Sequence, residues 1–179
     1  MLRRNDFEGA SVQDVVHEAG MSSRSFYEFF RSKDDLVMEL VQRATAAFMQ
    51  RIAAAFDGPR QPADVVDHLL LAYLEELVPV LTLDRERIGR SVGERIEAHR
   101  TFYFEKLLDL VLARLHTAVE DGQISTVPER VVIEVVLTGI EGLTLRYNRE
   151  NRLAELAELR PALGRALLDL VGAGKSAHT

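Results

Sequence analysis

Residues 11–36 read SVQDVVHEAGMSSRSFYEFFRSKDDL, and the reading of this stretch decides the fold. Val12, Val15, Val16 and Ala19 recur at helical spacing and are expected to pack inward. Ser11 stands before them with Asp14 three residues on, a capping-box start in which Asp replaces the usual Glu. Gly20 allows the positive φ of a sharp turn at Gly20-Met21-Ser22. A second short helix follows over 23–30, with Phe26, Phe29 and Phe30 expected to pack against the first. Two short helices across a tight turn are the helix-turn-helix plan, in which the second helix enters the major groove of DNA.

Outward from this stretch the pattern stays helical. Helices are expected at 12–19, 23–30, 33–56, 62–81, 84–90, 92–121, 128–148 and 161–172, with a short one at 153–159. Ser32 with Asp35, and Ser91 with Glu94, repeat the capping arrangement, while Pro62, Pro128 and Pro161 sit where a first helical residue would. Asp121-Gly122 reads as a helix stop. Strand alternation and hairpin turns flanked by β-branched runs are missing, so the fold class is all-α. The break at Asp57-Gly58-Pro59-Arg60-Gln61-Pro62 divides an N-terminal unit, 1–56, from a helical body, 57–179. Helix 33–56, with Leu36, Leu40, Ala44, Ala47, Phe48, Ile52 and Phe56 near one face, is shared between them. The tail from Gly172 to Thr179 is expected to fray.

Composition narrows the function. The 179 residues are 47% hydrophobic and 28% charged, an ordinary globular balance. Lys and Arg total 22 against 28 Asp and Glu, a net charge of -6, which disfavours indiscriminate coating of nucleic acid. From Ser22 to Lys33, however, Arg24, Arg31 and Lys33 stand against Glu28, a local net of +2 that supports an electrostatic footprint on one face. With no cysteine, disulfides, thiolate metal sites and cysteine nucleophiles are excluded. No apolar run is long enough to cross a bilayer and no leader pattern opens the chain, so a cytoplasmic protein without a membrane partner is expected. Nucleophile elbows, phosphate-binding loops and dinucleotide fingerprints are absent, and His17, His68, His99, His116 and His178 lack metal-ligand spacing. Glu75-Glu76 and Glu120-Asp121 are adjacent pairs that an α-helix points in different directions. Neither enzyme nor cofactor nor metal is expected.

The residues Phe7-Glu8-Gly9-Ala10-Ser11-Val12, Val15-Val16-His17-Glu18-Ala19-Gly20-Met21-Ser22 and Ser25-Phe26-Tyr27-Glu28-Phe29-Phe30-Arg31-Ser32-Lys33-Asp34-Asp35-Leu36 resemble the tetracycline-repressor (TetR) family of bacterial transcription regulators. Tyr, Phe, Ser, Lys and Leu at these spacings directly after the turn carry the resemblance. It implies that Ser11, Ser22, Tyr27 and Lys33 meet DNA phosphates, and that Ser23, Arg24 and Ser25 reach base edges. The chemistry agrees: hydroxyls and an ammonium suit phosphate oxygens, and Arg can bind guanine O6 and N7 together. The family has a full helix before the Gly-Phe segment. Here Met1 to Phe7 offers its last turn, with Leu2 and Phe7 as apolar contacts and Asp6 where glycine is usual. In-frame codons upstream of Met1 are expected to encode the rest.

The resemblance also implies a dimer and a ligand. Val131, Val132, Ile133, Val135, Val136, Leu137, Ile140, Leu143 and Leu145 cover most directions of helix 128–148 and leave a narrow polar stripe of Glu134, Thr138 and Glu141. Leu163, Ala166, Leu167, Leu170 and Val171 form a stripe on 161–172. A homodimer bundle of these helices is expected, with Gly139, Gly142, Leu143, Leu163, Leu167 and Leu170 at the interface. On 92–121 the inner stripe is Val92, Ile96, His99, Tyr103, Leu107, Leu110 and Val111. His68, Tyr73, Arg95, His99 and Tyr103 are candidates for the polar groups of a small-molecule pocket between body helices. The expected function is a sequence-specific DNA-binding regulator, a ligand-released repressor acting as a homodimer on a palindromic operator. The alternative is a helical dimeric ligand-binding or scaffold protein whose DNA-binding unit is defective.

Overall fold

The computed structural model describes residues 11–57, 61–82, 90–171 and 173. Leu2, Phe7, residues 84–89 of one expected helix and most of the tail lie outside them. The chain is all-α: α1 (Val12–Glu18), α2 (Ser23–Phe29), α3 (Lys33–Phe56), α4 (Pro62–Ala72), a π-helical segment (Tyr73–Leu77), α5 (Val78–Leu81), α6 (Arg90–Glu120), α7 (Arg130–Arg149), α8 (Leu153–Glu158) and α9 (Arg160–Leu170). The helix-turn-helix lies at the N-terminal end, and a larger helical body follows it.

Side-chain caps start the first three helices. Ser11 Oγ accepts from the Asp14 N–H, and the Asp14 carboxylate accepts from the Ser11 N–H at 2.7 Å, a complete capping box. The Ser11 hydroxyl also donates to the Asp14 carboxylate at 2.7 Å, and this bond, with that from the Ser11 N–H, holds the carboxyl below its ordinary value. Ser22 and Ser32 accept from the N–H groups of Ser25 and Asp35. Two expected starts fall elsewhere. Ser91 lies inside α6, which is already helical at Arg90, and Pro128 precedes α7, whose N-cap is Glu129.

Three helices stop on one device. At the end of α1 the N–H groups of Gly20 and Met21 donate to His17 O and Val16 O. Gly122 and Gln123 do the same to Val119 O and Ala118 O after α6, and Asn151 and Arg152 to Asn148 O and Tyr147 O after α7. Gly20, Gly122 and Asn151 take φ of 64°, 70° and 56°. Asn is the non-glycine residue that tolerates this region best, which explains Asn151.

One long reading, 62–81, is interrupted. The Val78 N–H donates to Tyr73 O, five residues back, so the segment Tyr73–Leu77 is π-helical. Pro79 supplies the reason. It has no N–H, and in a regular α-helix its ring would collide with the carbonyl of Glu75; the wider turn relieves the collision.

The core is shared among four clusters of buried residues. Val37, Met38 and Val41 of α3 meet Val92 and Ile96 of α6. Phe48 and Ile52 meet Ala72. Val78, Tyr147 and Leu156 form a third group, and Ala118, Ile124 and Val171 a fourth. The buried face of α3 is therefore Val37, Met38, Val41, Thr45, Phe48, Ile52 and Ala55, rotated from the expected one; Leu40 is exposed. Both α4 and α6 pack on α3, so its inward side is set by their joint position. Ala19 and Phe29 are also exposed, against expectation. Phe26 and Phe30, four apart, take the inward face of the two-turn α2 and leave Phe29 beside it.

Gly122 makes a direct test possible. A Cβ there would meet no atom within 4 Å, so only its φ opposes substitution. Gly122→Ala should cost about 1–2 kcal/mol in denaturant unfolding; an unchanged midpoint would show that the stop tolerates a right-handed conformer.

Candidate nucleic-acid interface and interior cavity

The second helix of the helix-turn-helix hangs on one anchor. Phe26 is 1% exposed and lies edge-on to Tyr27 and beside Phe30. Around this anchor Ser23, Arg24 and Tyr27 are exposed, Tyr27 to 58%. Ser22 and Ser11 are exposed at the two N-caps. Arg24 is held loosely, its guanidinium 3.5 Å from Glu28 with a side chain 90% exposed. A pair so open to water contributes little, leaving Arg24 able to exchange it for another acceptor. Ser25 is half-buried, with its Oγ 2.9 Å from Ser22 Oγ, and Lys33 is half-buried at the first position of α3.

The body holds a cavity of about 230 Å³ that opens to the surface. Tyr73, His99 and Tyr103 line it, as the sequence suggested. His68 and Arg95 do not. His68 stays on the surface of α4 and donates from Nδ1 to Asp64 O, and Arg95 reaches 3.5 Å to Asp35 across the α3–α6 contact. Each lies beside the inner stripe of its helix, where the chain alternates polar and apolar residues too closely for periodicity to assign a side.

Three polar cavity residues escaped the sequence reading: Thr45, Arg100 and Glu141. Thr45 lies among apolar neighbours on α3 and donates to Val41 O at 2.7 Å. Arg100 Nη1 donates to both carboxylate oxygens of Glu141 at 2.9 Å, and Arg100 also bonds to Glu97. The Glu97 bonds, with the attraction of Glu141, raise the guanidinium above its usual range. Farther along, Arg130 of α7 bonds to Glu105 and Asp109 of α6. Glu141, of the polar stripe of α7, thus turns toward α6, while Thr138 of the same stripe is exposed. Val131 and Val135 of α7 are 55% and 67% exposed.

Buried hydroxyls fix the remaining geometry. Thr144 gives its proton to Ile140 O, so the Tyr73 hydroxyl, 2.8 Å away, donates to Thr144. Burial pushes Tyr73 up to about 12, partly opposed by the Thr144 bond. The Thr45 proton is likewise spent, so His99 Nε2–H donates to Thr45 at 3.3 Å. The His99 ring leans on Tyr103, centroids 4.5 Å apart.

The π-helical segment brings together a pair judged divergent. Arg51 Nη1 of α3 donates to Glu75 at 2.6 Å and to Glu76 at 2.9 Å. An α-helix would turn these neighbours about 100° apart, and the wider turn allows both to face one cation. The two bonds raise Arg51 above its ordinary value.

Among the proposed dimer residues, Gly139, Gly142 and Leu170 are exposed. Leu143, Leu163 and Leu167 face into their own subunit instead. Leu143 packs on the Val78–Tyr147–Leu156 cluster, Leu163 lies beside Leu70 and Leu74, and Leu167 lines the cavity. The reason is that α9 lies along α4, fastened by Arg160 and Asp67 at 3.1 Å, and α4 covers its leucine stripe.

Burial holds the His99 imidazole below its ordinary value of 6.5. The folded state therefore resists a proton that the unfolded chain accepts. This stability is complete above the unfolded value and lost as pH falls through it toward the folded one. His99→Gln should flatten the fall in thermal midpoint between about pH 7.5 and pH 5.5; parallel curves for the two proteins would refute it.

Residues 1–40 match the family described as "Bacterial regulatory proteins, tetR family". The nucleoid occlusion factor SlmA of Haemophilus influenzae (strain PittGG) is 23% identical over 148 residues, covering 80% of this chain and 68% of SlmA. The uncharacterized HTH-type transcriptional regulator YxbF of Bacillus subtilis (strain 168) is 21% identical over 115 residues, 62% of this chain and 30% of YxbF. The crystal structure of the TetR family transcriptional regulator PfmR from Thermus thermophilus superposes with a TM-score of 0.55 at 18% identity, covering 86% of this chain and 88% of that one. With the signature of the tetR family of bacterial regulatory proteins over its first forty residues, and the fold of a TetR family regulator along most of its length, the chain reads as a DNA-binding transcription regulator.

Proposed function

We propose that the chain is a cytoplasmic repressor that grips a palindromic operator as a homodimer and releases it when a small molecule enters the body. The exposed cluster of Ser22, Ser23, Arg24 and Tyr27, around the start of α2, is the observation that carries the DNA part. Ser11, Ser22, Tyr27 and Lys33 would hold phosphates, and Ser23, Arg24 and Ser25 would face base edges. Residues 1–56 act as the DNA-binding unit and 57–179 as the ligand-binding and dimerisation unit. Helix α3 belongs to both: it follows the helix-turn-helix directly and its Thr45, Phe48 and Ile52 line the cavity, so occupancy there bears on the unit that holds DNA.

The exposed face of α7 supports the dimer. Val131, Val135, Gly139 and Gly142 fall on one stripe open to water. A Cβ on either glycine would meet nothing within 4 Å, so no contact inside the subunit accounts for two residues that each cost a helix about 1 kcal/mol. A second copy crossing closely would account for both, and a two-fold axis makes the patch complementary to itself. The same axis sets two recognition helices side by side, and successive major grooves need them about 34–36 Å apart.

Selection of bound fragments from the host's DNA, starting beside the gene, tests the reading. An enriched palindrome is expected; none would favour the scaffold alternative. On that site Arg24→Ala should relax one base position and cost about 1–3 kcal/mol, whereas Lys33→Ala should weaken all sequences alike and lower the salt slope by about 1.

The interface has its own test. Val135→Glu and Gly139→Glu should each give a folded monomer by light scattering, with operator affinity lost in step. These variants avoid Leu167, whose replacement would charge the cavity. A dimer that survives both would move the interface off this face.

A further inference from the structure

We infer that the cavity takes a neutral, elongated amphiphile, with its apolar body along α6 and a hydroxyl or carbonyl head at the polar edges of the paired His99 and Tyr103 rings. The inference deepens the effector reading above and rests on it for its regulatory meaning.

Shape comes first. The lining runs along α6 from Ile96 to Leu115, about 28 Å at the helical rise. A volume of about 230 Å³ drawn out over that distance is a narrow channel. It suits one extended chain better than a stack of rings.

Charge comes second. Of the described lining residues, Arg100 and Glu141 carry full charges, and they are bound to each other. Arg100 also holds Glu97, so two carboxylates already surround the one cation. An anionic head would have to displace a carboxylate from it. A cationic head would find both Glu141 oxygens held by Arg100. Either ion would leave water without a counter-ion, the costliest kind of burial.

The uncharged polar groups decide the head. The Tyr73 and Thr45 protons are spent on Thr144 and on Val41 O. The Tyr103 hydroxyl has no hydrogen-bond partner among the described residues, and neither does His99 Nδ1, the acceptor left when Nε2–H donates to Thr45. The two rings lie 4.5 Å apart, centre to centre. The rings touch, so a head group meets their polar edges and not the space between them: a hydroxyl there can accept from Tyr103 or donate to Nδ1, and a carbonyl uses the Tyr103 proton alone.

Isothermal titration of the full chain, without DNA, decides the matter with three probes of one chain length: 1-octanol, octanoate and octyltrimethylammonium. The alcohol should bind at least about tenfold more tightly than either ion. Tyr103→Phe should weaken octanol about fivefold, and Glu141→Gln, by freeing a donor of Arg100, should improve octanoate and leave octanol alone. An ion that equals the alcohol overturns the neutral head, and no binding by any probe overturns the amphiphile. Octanol binding unchanged in folded Tyr103→Phe overturns the head position; if that variant does not fold, the three titrations of the unaltered protein still decide the class. Octanol binding without any selected operator removes the regulator reading and leaves this one. An operator released by some other ligand, with no octanol binding, does the reverse.

Discussion

Helix α3 is a single rod of 24 residues, about 36 Å long, and it cannot bend between its ends without giving up backbone hydrogen bonds. The other elements are arranged along it. Its first turn follows the helix-turn-helix immediately, its next turns bury Val37, Met38 and Val41 against α6, and its last turns bury Phe48 and Ile52 against α4. Ion pairs fasten it at two levels, Asp35 to Arg95 of α6 and Arg51 to Glu75 and Glu76. The cavity lies against the middle of the rod, through Val41, Thr45, Phe48 and Ile52. A change in cavity packing and a change in the attitude of the helix-turn-helix therefore involve the same rigid element.

A second constraint is local and comes from one residue. Pro79 cannot continue an α-helix from Glu75, and the widened turn it imposes changes three things at once. Tyr73 occupies the first position of that turn, inside the cavity, with its hydroxyl satisfied by Thr144. Glu75 and Glu76 converge on Arg51. The chain still runs on as helix to Leu81, so α4 and α5 remain one continuous wall of the body. Proline here does not end the helix but redirects its side chains.

Apolar residues of α6 and α7 line the cavity together, and ion pairs fasten the two helices beside it. Arg100 with Glu141, and Arg130 with Glu105 and Asp109, fix the two antiparallel helices by charge. The apolar residues left over, Val131 and Val135, then point outward. Leaving these two valines in water costs a lone subunit, and a second helix against that face would recover the cost.

Much of this was legible in the chain. Ser11, Ser22 and Ser32 begin helices because a hydroxyl before a helical run can accept from its first free N–H, and Gly20 and Gly122 end them because only a residue without a Cβ enters positive φ freely. These are events within four or five residues, so sequence alone determined them, along with the all-α class and the helix-turn-helix signature. Which side of each helix faces in was a different matter. Leu40 and Phe29 were expected inside and are exposed; Leu163 and Leu167 were expected at a partner and face their own subunit; Arg100 was unremarked, Glu141 was read only as part of a polar stripe, and the two meet at the cavity wall. A helix with apolar residues on several sides fits more than one orientation, and the choice belongs to neighbours on other helices, up to ninety residues and more away. Only the tertiary structure made that choice, because burial and ion pairing depend on where other helices lie and not on the order of residues within one.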